Sequence, residues 1–136
     1  MKTHLIDLPY FSDYRGDLAV AEQMKGVPFE IKRAFWSFNV PEGLSRGAHA
    51  HKQLRQLIIA INGSFTVNVD DGNEQKGFYL DSPTKALLVE PGEWSSEDYF
   101  TPGAVCLVLC DGVYDADDYI RDYNDFIDYV SGKGNE

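Results

Sequence analysis

Gly43-Leu44-Ser45-Arg46-Gly47-Ala48-His49-Ala50-His51-Lys52-Gln53-Leu54-Arg55-Gln56, followed by the apolar run Leu57–Asn62 and Gly63, is the stretch from which the rest of the chain is read. It holds two of the three histidines. Residues two apart in a strand point to the same face, so His49 and His51 aim two imidazoles into one small volume. An imidazole, with an ordinary pKa of about 6.5, takes and returns protons near neutrality, and it is also a common metal ligand. On spacing alone both jobs are open.

Working outward, Asn62-Gly63 is a hairpin signal. In Ser64–Asp70, Phe65, Val67 and Val69 alternate with Thr66, Asn68 and Asp70, the pattern of a half-buried strand. Asp71-Gly72 marks a second tight turn, and further strands are predicted over Gly77–Leu80, Ala86–Glu90 and Ala104–Cys110, punctuated by Pro83 and Pro91-Gly92. Upstream, strands are expected over His4–Leu8, over Asp17–Ala21 after the turn Asp13–Gly16, and over Phe29–Val40, which Pro41-Glu42-Gly43 ends. Only the C-terminal part reads as helix. Tyr119, Ile120, Tyr123, Phe126, Ile127 and Val130 fall near a 3.6-residue period, predicting a helix over Asp115–Val130 with Asp115, Asp117 and Asp118 at its positive end. The expected fold class is all-β, a sandwich or jelly-roll barrel with a C-terminal α-helix packed outside. With no repeat and no low-complexity linker, residues 1–136 read as a single domain.

A chain of 136 residues, 43% of them hydrophobic, is large enough for a real core. Its net charge of −10 argues against nucleic acid as a partner, because phosphate backbones need a basic surface. The charge is unevenly placed. Residues 1–55 carry eight Lys/Arg against six Asp/Glu, and residues 56–136 carry four against sixteen. A small anionic ligand therefore suits the first part of the chain. Lys2, Lys25, Lys76, Lys85 and Lys133 read as scattered solvated charges. The start of the chain shows no signal peptide, and no apolar segment approaches membrane-spanning length, so a cytoplasmic protein with no membrane partner is expected. Cys106 and Cys110 sit in an apolar run and read as reduced core thiols, too far apart along a strand to bridge.

The spacing around the histidines resembles the first motif of the cupin superfamily: Gly43, five residues, His49-x-His51, four residues, Gln56, six residues, Gly63. That resemblance implies a cupin jelly-roll barrel. Metal-binding cupins carry Glu where this chain has Gln56, and they add a third His near a later Pro-Gly. Here Glu90-Pro91-Gly92-Glu93-Trp94 offers none, and no His follows His51. Two imidazoles and a neutral amide lack the ligands of a tight transition-metal site, so no metal and no other cofactor is expected.

Asp13-x-Arg15-Gly16 with Arg46-Gly47-x-His49 resembles the nucleotide-sugar-modifying cupins. More of the chain is similar to the sugar 3,4-ketoisomerases: Pro28-Phe29-x-Ile31-Lys32-Arg33, Arg46-Gly47-x-His49-Ala50-His51-Lys52, Asn62-Gly63-Ser64, Asp70-Asp71-Gly72, Leu80-Asp81-Ser82-Pro83, and Tyr114-Asp115-x-x-Asp118-Tyr119-Ile120-Arg121-Asp122-Tyr123. The resemblance implies an isomerase acting on dTDP-4-dehydro-6-deoxy-glucose on the way to 3-amino sugars. Its C-3 proton, next to the C-4 ketone, is removed to give an enediol, and reprotonation at C-4 leaves the ketone at C-3. His49 would then be the base, and His51 would shuttle the proton or polarise the oxygens. Arg15 and Arg46, with Arg33 as a third, would hold the diphosphate, since guanidinium makes bidentate, permanently charged contacts to phosphate. Gln56 would bind a histidine or a sugar hydroxyl, or else is a satisfied buried amide. Trp36 and Trp94 read as core. Ser95 departs from the larger polar or basic residue often found at that position, which leaves the C-4 configuration of the product open. The family, and the β-edges such a fold exposes, imply a homodimer. A metal-dependent cupin oxygenase and a non-catalytic sugar-binding cupin remain as alternatives.

Overall fold

The structure, a computed structural model, describes residues 1–132; Lys133 lies outside them. Along the described chain run β1 (His4–Asp7), β2 (Tyr10–Asp13), β3 (Gly16–Ala19), β4 (Glu22–Gln23), β5 (Gly26–Val27), β6 (Arg33–Ser37) and β7 (Arg46–His51). There follow β8 (Gln56–Asn62), β9 (Phe65–Asp70), β10 (Gln75–Leu80), β11 (Lys85–Val89), β12 (Trp94–Asp98) and β13 (Val105–Cys110). A 3₁₀ turn (Ala116–Asp118), β14 (Tyr119–Ile120) and α1 (Tyr123–Val130) complete it. Two five-stranded sheets, ordered β1-β11-β8-β13-β6 and β10-β9-β12-β7-β14, make a jelly-roll barrel, and β2-β3 and β4-β5 form separate two-stranded ribbons.

Side-chain alternation explains the layers. Ile58, Leu87 and Val108 from the first sheet meet Phe65, Val67 and Phe78 from the second in one buried cluster between them. β8 is apolar without alternation because its other face is covered too. Leu57 and Ile59 pack there with Leu88 and Leu109 under Leu8, Val27 and Phe29 from the N-terminal segments. Outside the second sheet, Ala50, Ile120 and Phe126 form a third cluster with Trp94. α1 has only eight residues and is too short to persist alone. Full burial of Phe126, worth roughly 1.5–3 kcal/mol, holds it down. Asp122 caps it by accepting from the Asp125 N–H, and the Tyr123 hydroxyl donates to Asp70 of β9.

The predicted helix over Asp115–Val130 is corrected. Only Tyr123–Val130 is α-helical, and Tyr119–Ile120 is extended, pairing with His51 and Ala50. So few residues satisfy either period, and the ladder to β7 decides between them. The predicted strand Phe29–Val40 shrinks to Arg33–Ser37, since Phe29 instead seals the outer cluster. β12 went unpredicted because its buried residues are Ser95 and Glu97, so no apolar alternation marks it. Lys85 forms an ion pair with Asp7. Cys106 and Cys110 are free and buried, as expected. Among the described residues no helix is long and apolar enough to cross a membrane.

Candidate active site

A cavity of about 610 Å³ opens between β6, β7 and β12 and the segment from Tyr114 to Arg121, a volume suited to a small-molecule ligand. Arg33, Phe35 and Ser37 alternate into it from β6, while Ala34 and Trp36 face outward. β7 supplies Arg46 and His49. Between these two the strand bulges. Ser95 pairs with His49 and Glu97 with Arg46, so two steps on β12 match three on β7. Gly47 absorbs the extra residue in a left-handed conformation (φ 72°). A Cβ there would also overlap the Glu97 carboxyl, so glycine is required twice.

The imidazoles of His49 and His51 lie with ring centroids 4.9 Å apart and nearly perpendicular. Tyr119 stands 4.9 Å from the first and 4.3 Å from the second. His51 is buried, and its Nδ1–H donates to Asp118 Oδ2 at 3.0 Å. The same carboxylate accepts from the backbone N–H groups of Gln53 (2.8 Å) and Leu54 (3.2 Å). That bond fixes the tautomer and leaves Nε2 as the free lone pair. His49 alone of the two lines the cavity. Burial, then His51 and Arg121, push His49 down to about 4. Burial lowers His51 as well, against the opposing pull of Asp118. At neutral pH His49 is therefore uncharged and able to accept a proton.

Three guanidinium groups, of Arg33, Arg46 and Arg121, reach the cavity. Among the described residues none of them forms a salt bridge. Arg121 lies 4.1 Å over the Tyr119 ring, and Arg33 lies 4.6 Å over Phe35. Such stacking pre-orients the planar cation without neutralising it. Gln56 is buried in the wall, its amide directed to Cys110 Sγ at 3.9 Å. Among the described residues no three His, Cys, Asp or Glu side chains converge as a metal set.

The cavity thus gathers His49, Arg33, Arg46 and Gln56, with His51 behind His49. Arg15 is the exception. It stands at the tip of the β2–β3 hairpin, largely exposed, its guanidinium ion-paired with Asp13, and it does not line this chain's cavity. Trp94 packs edge-on to Tyr123 in the core, as expected, whereas Trp36 is exposed. Sequence reasoning missed Asp118, Tyr119, Arg121 and Glu97. The first three lie in the quoted segment Tyr114–Tyr123, but a helical reading hid that Tyr119 and Asp118 face the histidines. Glu97 had no signal, being one acid among several.

Two neutral imidazoles beside free guanidinium groups in a jelly-roll cavity define a cupin built for proton transfer on an anionic ligand. A family model described as "FdtA: WxcM-like, C-terminal" matches residues 1–131. The chain is 39% identical over 131 residues to a TDP-4-oxo-6-deoxy-α-D-glucose-3,4-oxoisomerase of Aneurinibacillus thermoaerophilus, covering 96% of this chain and 94% of that one. A crystal structure of a 3,4-ketoisomerase from Helicobacter canadensis superposes with a TM-score of 0.93 at 35% identity, covering 96% and 98% of the two chains. A variant of the 3,4-ketoisomerase QdtA from Thermoanaerobacterium thermosaccharolyticum, in complex with TDP-4-keto-6-deoxyglucose, gives 0.94 at 34% identity, covering 98% and 97%. The chain belongs to this FdtA family of cupin sugar 3,4-ketoisomerases.

Proposed function

We propose that the chain, as a one-domain cytoplasmic enzyme of residues 1–136, moves the ketone of dTDP-4-dehydro-6-deoxy-glucose from C-4 to C-3. The carrying observation is His49, held neutral at the cavity wall beside the free guanidinium groups of Arg33, Arg46 and Arg121. His49 removes the C-3 proton, whose acidity comes from the adjacent ketone. His51, oriented by Asp118, relays the proton toward C-4. Arg46 and Arg33 hold the diphosphate, and Gln56 holds a sugar hydroxyl or braces the wall. A C-3 ketone is the group an amino-transfer step consumes, which fits the making of 3-amino-3,6-dideoxy sugars for surface polysaccharides such as O-antigen. The test is incubation with the dTDP-keto sugar in D₂O, before and after exhaustive chelation. Expected are deuterium incorporation and a C-3 ketone by NMR at the same rate in both. Loss of turnover on chelation with recovery on added metal supports a metal-dependent cupin instead, and tight binding without exchange supports a binding module.

We further propose a homodimer in which each chain completes its partner's site. Tyr10, Phe11, Tyr14 and Leu18 are all more than half exposed on a two-stranded ribbon that pairs with neither sheet. A lone ribbon of this kind is marginally stable. β6 is an unpaired sheet edge, and its inward residues line the cavity. A hairpin from a second copy added to that edge would cover the apolar side chains and bring Arg15 to the site. Phe11→Asp/Leu18→Asp is expected to elute as a monomer in light-scattering chromatography and to lose about tenfold or more of its activity with the lost phosphate contact. A folded monomer of full activity would remove Arg15 from the site.

A further inference from the structure

Glu97 is a buried acid in the cavity wall for which the histidine mechanism has no use. It is 8% exposed, and its Oε2 is buried without a hydrogen-bond partner. It turns inward from β12 with Ser95, and the bulge at Gly47 leaves room for its carboxyl between the backbone positions of Arg46 and His49. A buried carboxylate with an unpaired oxygen is costly, whereas a neutral carboxyl has a proton to give. Arg46 from β7 favours the charged form, and Asp98 on its own strand opposes it. From β13 comes Cys106, whose thiol burial pushes upward and so keeps neutral, and β9 presents only Val67 opposite. Burial outweighs Arg46 and pushes Glu97 up to about 7.

We propose that Glu97 is a third proton-carrying group of the site, serving the two sugar oxygens while the histidines serve the two carbons. The proposal rests on the ketoisomerase reading above. In the first half-reaction the C-3–H bond breaks toward His49, and its electron pair becomes the C-3=C-4 double bond. The π pair of the C-4 carbonyl moves to O-4, which takes the Glu97 proton. In the second half, the Glu97 carboxylate accepts the O-3 proton and the C-3 carbonyl forms. The alkene pair then takes the proton held by the histidine pair onto C-4. Both the acid and the base are restored, C-3 is oxidised as C-4 is reduced, and no co-reactant is consumed.

Glu97→Gln keeps the shape and the neutral charge but cannot release a proton, so the test uses the full chain with this substitution. The variant is expected to lose about 10²-fold in kcat with KM within about threefold. Wild-type kcat/KM falls as Glu97 ionises near pH 7, and that of the variant no longer does so. ¹³C-carboxyl NMR of glutamate-labelled protein reads the group directly: the wild type shows a resonance titrating near pH 7 that Glu97→Gln lacks. A variant that retains wild-type kcat overturns the proposal. So does one whose rate keeps the same alkaline limb, and so does one that raises KM alone, which marks a structural partner of Arg46. A wild type that binds the sugar without isomerising it overturns the parent reading instead.

Discussion

His49→Asn is expected to abolish exchange of the substrate C-3 proton with solvent, lowering turnover by about 10²–10⁴-fold, the contribution of one positioned acid–base group. The substitution removes the imidazole that, alone among the described residues, lines the cavity, while leaving the Asp118–His51 pair behind it intact. His49 is half-buried and forms no hydrogen bond among the described residues, so the variant keeps its fold and its affinity for the nucleotide sugar. Both are checked by thermal melting and titration calorimetry. The pH dependence has a definite sign. His49 is depressed to about 4, so kcat/KM of the wild type rises through that region as the imidazolium gives up its proton, and levels off before the fall that ionisation of Glu97 brings near pH 7. A His49→Asn enzyme that still exchanges the proton at the wild-type rate would falsify the assignment of the base. His51 would then inherit the role.

The second large effect is expected at Asp118, where one carboxylate makes three contacts. Asp118→Ala leaves the Gln53 and Leu54 N–H groups unpaired, at a cost of about 1–3 kcal/mol, and frees the His51 ring to turn. Turnover falls by about 10²-fold as the relay loses its fixed tautomer. Asp118→Asn separates the two roles. Its single amide oxygen still accepts from the Gln53 N–H and recovers part of the melting temperature, but the amide NH2 then faces Leu54 and His51, and a neutral amide does not balance an imidazolium. The rate therefore stays low while stability partly returns. If Asp118→Asn restores turnover together with stability, the residue is a loop brace and the relay does not depend on its charge.

The barrel was legible because its signals are local: alternation in Ser64–Asp70, the turn at Asn62-Gly63, and the spacing from Gly43 to Gly63. The histidine pair followed from strand periodicity alone. What escaped reading are residues whose role depends on pairing between distant segments. Tyr119 and Ile120 fit a helical stripe, and only their ladder with His51 and Ala50 turns Tyr119 toward the site. β12 was invisible because its inward positions are polar for the sake of the cavity rather than the core. Arg15 was chosen for its chemistry, yet chemistry does not say that its hairpin stands away from this chain's cavity, with Arg15 paired to Asp13.

The pairing of β14 with β7 also sets a timetable for the molecule's birth. A ribosome that has delivered everything through β13 has already supplied both sheets except for one two-residue strand, and both histidines. It has not yet supplied Asp118, Tyr119 or Arg121. Among the described residues, the main apolar cluster draws on nothing after Cys110, whereas the imidazole of His51 takes its carboxylate from Asp118. A chain lacking everything after Cys110 would therefore lack the Asp118 carboxylate and the Tyr119 and Arg121 side chains of the site.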